Sequence, residues 1–343
     1  MSDIERSHPP SSSLPAHPRT AVTTVRDSGE LLAMIPYVLG FTPEDSLVVA
    51  ALLGPRKRLG PCLRADLPTT ADEAVTQARY LLSVIGSHGF DPVILVAFTA
   101  DPEAAEAVMV PLGAGLARRH VTVIEALRAD GARWWSYTCS EAACCRPEGV
   151  AYDPDSSRIA AEAVLSGLQR APTRESLRAQ FDPVGVSAQR AVAMECSRLR
   201  RGSSTGGQAR LVVADVDRLV VQHLPAPDAM SVPDTALLLL AVQEVALRDA
   251  AWALMSRSNA AEHFALWRRL MRTAPDHLMA PAGALTGFAA WLDGHGVLAW
   301  HALDRLQAVA PDYSMGLLLK QILEENVNPE VWSRFPIRRQ PSG

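Results

Sequence analysis

Lysine is almost missing from this chain: of its 33 basic residues only Lys57 and Lys320 are not arginine. With abundant alanine, that bias points to a GC-rich genome and so to origin, not to activity. Long apolar runs are missing as well. The longest in the C-terminal half, Ala236 to Val242, stops at Gln243 and Glu244, far short of the roughly 20 residues that span a bilayer. Residues 1–19 carry acids, histidine, proline and a Ser11-Ser12-Ser13 run but no apolar stretch, so they do not read as a secretory signal and a cytoplasmic protein is expected. No glycine-rich phosphate loop stands at a strand-to-helix junction of the N-terminal half, which weakens a nucleotide-binding reading. The net charge of -4 and pI near 6.1 supply no electrostatic footprint for a phosphate backbone. Neither nucleic acid nor membrane is therefore expected as a partner. Cysteines are few and odd in number, five, which suits a reducing compartment better than a disulfide framework.

What is present is a chain of 343 residues, 48% hydrophobic, long enough for two domains and a large core. Residues 1–20 are Pro/Ser/His-rich without periodicity, and they and 336–343 are expected to be disordered tails. Ser28 caps a helix through Leu31, Leu32, Ile35, Val38 and Leu39, with Pro36 as a bend and Gly40 as the stop. Ser46 to Leu53 and Leu59 to Leu67 flank Gly54-Pro55-Arg56-Lys57-Arg58, a hairpin with a basic tip. A helix from Ala74 to Ile85, closed by Gly86, leads to Val93–Phe98, a continuous apolar run that reads as a strand covered on both faces. A helix over 102–118, with Pro111 as a possible bend, and strands at Val121–Leu127 and Trp134–Thr138 complete a β-β-α-β-α-β-β order. The fold class implied is an α/β N-terminal domain, a mixed sheet with helices packed on it, over residues 21–138. Residues 139–183 form a cysteine-containing connector.

Residues 184–335 are expected to be an all-α domain, because beyond about 156 the periodicity is helical: 156–170, 173–181, 185–200, 208–223, 233–256, 259–273, 282–293, 296–309 and 313–325. Arg201-Gly202-Ser203-Ser204-Thr205-Gly206-Gly207 reads as a flexible loop, since it lacks the Lys-Ser/Thr and preceding strand of a phosphate cradle. Ala274-Pro275-Asp276-His277 recurs thirty-six residues later as Ala310-Pro311-Asp312-Tyr313. A repeat of that period indicates stacked helical hairpins. The second copy resembles a tetratricopeptide repeat in its Gly287, Ala299 and Pro311, although Leu306 stands where a small residue is usual. The domain is therefore expected to end in tetratricopeptide-like hairpins.

Chemistry concentrates in Trp134-Trp135-Ser136-Tyr137-Thr138-Cys139 and the following Cys144-Cys145-Arg146-Pro147-Glu148-Gly149. Three thiols beside three aromatics can bind metal, cycle redox state or simply pack. As zinc ligands, Cys139, Cys144 and Cys145, with Cys62 from the hairpin, would make a tetrahedral set, though the spacing is not that of a C-x2-C knuckle. As a reactive site they have Arg146 and Arg133 to lower a thiol pKa, but the base would have to be His88, His120 or His223, brought close by the fold. Packing under the tryptophans is the simplest use of a thiol. Alternation points Arg64 and Asp66 to one face, as a site rim or a surface ion pair. Glu44 and Asp45 form a carboxylate pair in a turn, for cation binding, acid–base work or local hydrogen bonds. Arg248-Asp249 is a further ion-pair candidate.

Taken together, Ile35-Pro36-Tyr37-Val38-Leu39-Gly40-Phe41-Thr42-Pro43-Glu44-Asp45-Ser46-Leu47-Val48, Leu63 to Pro68, Ser136 to Cys139, Cys144 to Gly149 and Arg248-Asp249-Ala250 resemble the actinobacterial family called domain of unknown function (DUF) 4192, over roughly residues 25–330. Arg146 stands where proline is as readily expected. The resemblance implies an actinobacterial cytosolic protein and carries over no catalytic residue. The leading expectation is a non-enzymatic interaction or regulatory protein that docks a protein partner through its helical half, with no cofactor. The alternative is an enzyme or thiol redox sensor using Cys139, Cys144 or Cys145 with Arg64, Asp66 and Glu44 lining its pocket, and the third reading is structural zinc.

Overall fold

The structure is a computed structural model that describes residues 25–55, 57–141, 145–165, 170–204, 211–325 and 327–334. The expected tails, Arg56 at the hairpin tip, Cys144 and Thr205-Gly206-Gly207 of the expected loop lie outside those residues; the first part of that loop, Arg201 to Ser204, is helical instead. The described chain divides into two compact units. The first runs to Val38 and resumes from Pro43, and the second holds Leu39–Thr42 and everything from Arg170 on.

The first unit opens with α1 (Ser28–Leu39), ended by Gly40 at φ 81°. It continues through β1 (Ser46–Leu53), β2 (Arg58–Asp66), α2 (Ala71–His88), β3 (Val93–Phe98), α3 (Pro102–Arg118), β4 (Val123–Ala129), β5 (Arg133–Ser136), β6 (Val150–Ala151) and α4 (Arg158–Leu165). The sheet order is β2-β1-β3-β4-β5-β6, and β3–β4 is the parallel pair, joined by the α3 crossover. Leu47, Val49, Leu95 and Ala97 on one face of the sheet pack with Leu81, Leu82, Ile85, Val108, Leu112 and Leu116 of α2 and α3. β3 is buried at all six positions, as its unbroken apolar run requires.

Local chemistry fixes the helix ends. Thr70 caps α2 by accepting from Glu73 N, and Asp101 caps α3 by accepting from Glu103 N and Ala104 N. α2 does not stop at the expected Gly86. It runs to His88, where Gly89 takes the left-handed conformation at φ 61° and its N–H bonds to Gly86 O, the geometry a glycine C-cap supplies. Pro36 and Pro111 lie inside α1 and α3 without ending either helix. The short β6, which pairs with β5, carries too few residues to show a period of its own.

The second unit contains α5 (Arg174–Ala179), α6 (Val186–Ser204), α7 (Val213–His223), α8 (Val232–Ala241), α9 (Val245–Ala253), α10 (Ala260–Thr273), α11 (Asp276–Leu292), α12 (Gly296–Val309) and α13 (Ser314–Glu324). The expected single helix over 233–256 is two. Gln243 breaks it, because its side-chain amide donates to Leu239 O at 2.9 Å and to Leu278 O at 3.0 Å, a tertiary anchor that periodicity does not reveal. α11 begins at Asp276, not after Pro281. Proline removes one i to i−4 bond, and the carbonyl it leaves, that of His277, belongs to an exposed residue. α11 is buried almost all round, as a helix apolar on every face must be. α10 and α12 pack along it, and a Cβ at Gly287 would run into Leu319. Phe41 also belongs to this unit, bridged in parallel to Ala171. Among the described residues no helix is long and apolar enough to cross a membrane.

Candidate functional site

Antiparallel pairing of β1 with both β2 and β3 brings Ser46 opposite Asp66 and opposite Phe98. Residues distant in sequence therefore meet where the parallel pair β3–β4 ends. Ser46 Oγ, fully buried, donates to Glu44 O at 2.5 Å and accepts from Arg64 Nε at 3.1 Å and Nη2 at 2.7 Å. Arg64 Nη2 also reaches Asp66 Oδ1 at 2.5 Å, so the alternation that put both on one face is realised as an ion pair. Arg64 is 12% exposed and Asp66 70%; with one partner in water such a pair is worth about 0–1 kcal/mol. Asp45, at φ 39°, accepts from Thr99 Oγ1 at 2.8 Å, and its carbonyl accepts from Leu67 N at 2.7 Å. Glu44 enters through its carbonyl and is itself exposed. Glu44, Arg64 and Asp66 are thus brought together, and what they do there is tie strand ends.

Sequence reasoning missed Arg128, which is nearly buried on β4. Its guanidinium lies 3.6 Å from the centroid of Trp135, its cross-strand partner, and Nη1 donates to Ala100 O at 3.2 Å and Thr99 O at 3.4 Å. Burial pushes the neighbouring Tyr137 phenol up, and the positive charge of Arg128 opposes that shift. The signal was the arginine itself, which truncated the expected strand at Leu127 although β4 continues to Ala129.

The Cys139 turn lies beyond the end of β5. Glu125 Oε1 accepts from Ser136 Oγ at 2.7 Å and from Thr138 Oγ1, and Ser136 Oγ accepts from Cys139 N at 3.0 Å. Cys139 and Cys145 are half-buried, and Cys145 N donates to Glu141 O at 2.8 Å. The Pro147-to-Gly149 turn is built on Trp135: its Nε1 donates to Pro147 O at 3.0 Å, and a Cβ on Gly149, at φ 80°, would stand 2.6 Å from its ring. The expected connector is divided. Through α4 it belongs with the sheet, and from Arg170 with the helices.

The register separates the candidates. Cys62 lies opposite Ala50, in the row that continues through Ile94 to Glu125 three strands away, about 14 Å at ordinary strand spacing. Cys62 is therefore not brought to the Cys139 turn. Arg64 shares its row with Ser136 four strands away, roughly 19 Å. Arg64, Asp66 and Glu44 therefore do not line one pocket with Cys139. Burial pushes the Cys62 thiol up to about 12, the reverse of activation. His88 bonds Ser87 and Val84 O in the last turn of α2, His120 follows the end of α3, and His223 pairs with Asp234 in the other unit. Among the described residues no three His, Cys, Asp or Glu side chains come together as a metal site would need. Arg248, 12% exposed, pairs with Asp249 at 2.7 Å and donates to Tyr313 Oη at 3.0 Å.

Fold and site together define a two-unit protein, an α/β unit with its buried polar groups gathered at one end of the sheet, and an all-α unit. The chain belongs to the family described as Domain of unknown function (DUF4192), whose model matches residues 29–330. No curated protein and no solved structure matches it.

Proposed function

We propose that the protein is a non-enzymatic interaction protein that docks a partner protein through its helical unit, on the outer stripe of α13. That stripe is the observation behind the reading. Leu317, Leu318, Gln321, Glu324 and Glu325 recur at i, i+1, i+4, i+7 and i+8, one face of a helix. All five are exposed, the leucines at 48% and 42%. The outer helix of a stacked array needs a polar face to stay in solution, and α13 is the last α-helix among the described residues, yet the first half of this stripe is apolar; the second carries Glu324, paired with Lys320 at 3.7 Å, and Glu325. Its complement is a partner segment with apolar side chains beside lysine or arginine. Covering what the two leucines expose contributes on the order of 2 kcal/mol.

The tetratricopeptide-like reading of the helices belongs to this proposal. Ala274-Pro275 leads from α10 into α11, and Ala310-Pro311 leads from α12 toward α13, so the repeated tetrapeptide occupies equivalent joints. Gly287 and Ala299 are small where α11 meets α12, with Ala299 O 3.5 Å from a Cβ built on Gly287. Against a regular array, α9 packs mainly on α7 instead of along α10.

The test is a quantitative pull-down from the native host with the full chain and its Leu317→Glu/Leu318→Glu variant, both checked by thermal melting. A stoichiometric partner held by the first and lost from the second, at unchanged melting temperature, supports the proposal. Identical captured proteins in both samples end it.

A further inference from the structure

Three arginines converge on one concave surface of the α/β unit. Arg79 in the middle of α2 and Arg118 and Arg119 at the end of α3 line a groove of about 320 Å³ between the two helices, together with the apolar side chains of Val75, Leu82 and Pro111. All three arginines are exposed. Among the described residues none of them lies within ion-pair distance of a carboxylate, while the chain as a whole carries a net charge of -4. Arg119 is anchored, its Nη1 donating to Leu82 O at 2.6 Å across the helix pair. Cations in the last turn of a helix are favourable by themselves, which accounts for Arg118 and Arg119. It does not account for Arg79, which sits mid-helix and faces the same groove.

We propose that the α2–α3 groove docks an acidic segment of a partner protein: an apolar side chain seated between the helices, flanked by aspartate or glutamate carboxylates on the arginines. Guanidinium groups present a planar fork that matches carboxylates. A polynucleotide offers phosphates without an apolar side chain for the groove, and three arginines are few for the contact it makes with a phosphate backbone. A lipid surface is flat where this site is concave. The proposal concerns a second surface, in a different unit and of opposite charge preference from the α13 stripe, so each can fail without the other.

The experiment uses the full chain with a fluorescein-labelled hexapeptide, Glu-Leu-Glu-Asp-Leu-Glu, and its glutamine/asparagine counterpart, followed by fluorescence anisotropy at low and high salt. A single-stranded dodecanucleotide and phosphatidylserine vesicles serve as competitors. The acidic peptide is expected to bind saturably and to weaken with salt. Binding should fall about tenfold or more in Arg79→Glu/Arg118→Glu, while the uncharged counterpart stays unbound. Arg119 is left in place so that the helix pair keeps its anchor, and melting of the variant checks the fold. Equal affinity of variant and wild type overturns the proposal, as does absence of saturable binding up to about 1 mM peptide. Tighter, arginine-dependent binding of the oligonucleotide or the vesicles also overturns it, in favour of that partner class.

Discussion

On the strands of the α/β unit and at their ends the buried polar side chains Ser46, Thr99 and Arg128 all have hydrogen-bond partners, whereas in the helical unit two buried histidines are left short of them: among the described residues His263 Nε2 and both ring nitrogens of His301 are unpartnered. The difference follows from secondary structure. Strand ends leave carbonyls such as Thr99 O and Ala100 O unused by the ladder, so a buried donor near them finds an acceptor. Helix interiors consume their own backbone groups, and the hydroxyls of Thr273 and Thr286 manage only by bonding back to Arg269 O and Ala282 O one turn earlier. The consequence is that the sheet carries its buried polar groups as ties and the helical unit carries two imidazoles as liabilities, while on α2 of the first unit Gln77 Oε1 is buried without a partner too.

The largest test of that contrast removes the core of the helical unit. Trp267, fully buried, donates from Nε1 to His263 Nδ1 at 3.3 Å. Trp267→Ala is expected to cost about 3–5 kcal/mol, read by denaturant unfolding of the helical signal. Acid comes next. Burial lowers the His263 pKa from 6.5 to about 4 and also lowers that of His301, where Arg174 and Arg178 add to the effect. A histidine whose folded pKa is depressed contributes stability that is complete above about pH 6.5 and is lost as pH falls toward 4. For His263 the full loss is about 3 kcal/mol. Urea midpoints measured from pH 7.5 to 4.5 should fall in wild type and fall less in His263→Leu; equal slopes would contradict the assignment.

In the α/β unit, Arg128→Leu strips Thr99 O and Ala100 O of a donor and bares Trp135, at an expected cost of about 1–3 kcal/mol. That cost should not change between pH 7.5 and 5.5, which distinguishes a tie from a liability. Smallest is Asp66→Asn, expected to shift stability by under about 1 kcal/mol because that carboxylate is 70% exposed. A larger effect would mean that Asp66 does more than pair with Arg64.

The helical half and the mixed sheet were legible because their signals are local. β3 was read at its full length from one apolar run, and Arg64 and Asp66 share a face by simple alternation. What escaped depends on partners far away in the chain. Nothing near Gln243 announces that Leu278 O will bind its amide, and nothing near Arg128 announces Trp135 across the ladder. The thiols stood out by composition, but only strand order shows that Cys62 and Cys139 lie three or more strands apart. Composition finds unusual residues; register decides whether they meet.

Leu39–Thr42 leaves the first unit for the second and comes back at Pro43. Phe41, 1% exposed, is held there by Thr42 N to Ala171 O at 3.2 Å and Ala171 N to Gly40 O at 2.7 Å. A fragment cut to begin at Arg170 would lack that phenylalanine and should be less stable alone than in the whole chain. During synthesis the ribosome delivers Phe41 long before Ala171 exists, so the stitch between them closes late. The N-terminal unit can assemble its sheet first, with one of its neighbour's core residues waiting in the middle of its own sequence.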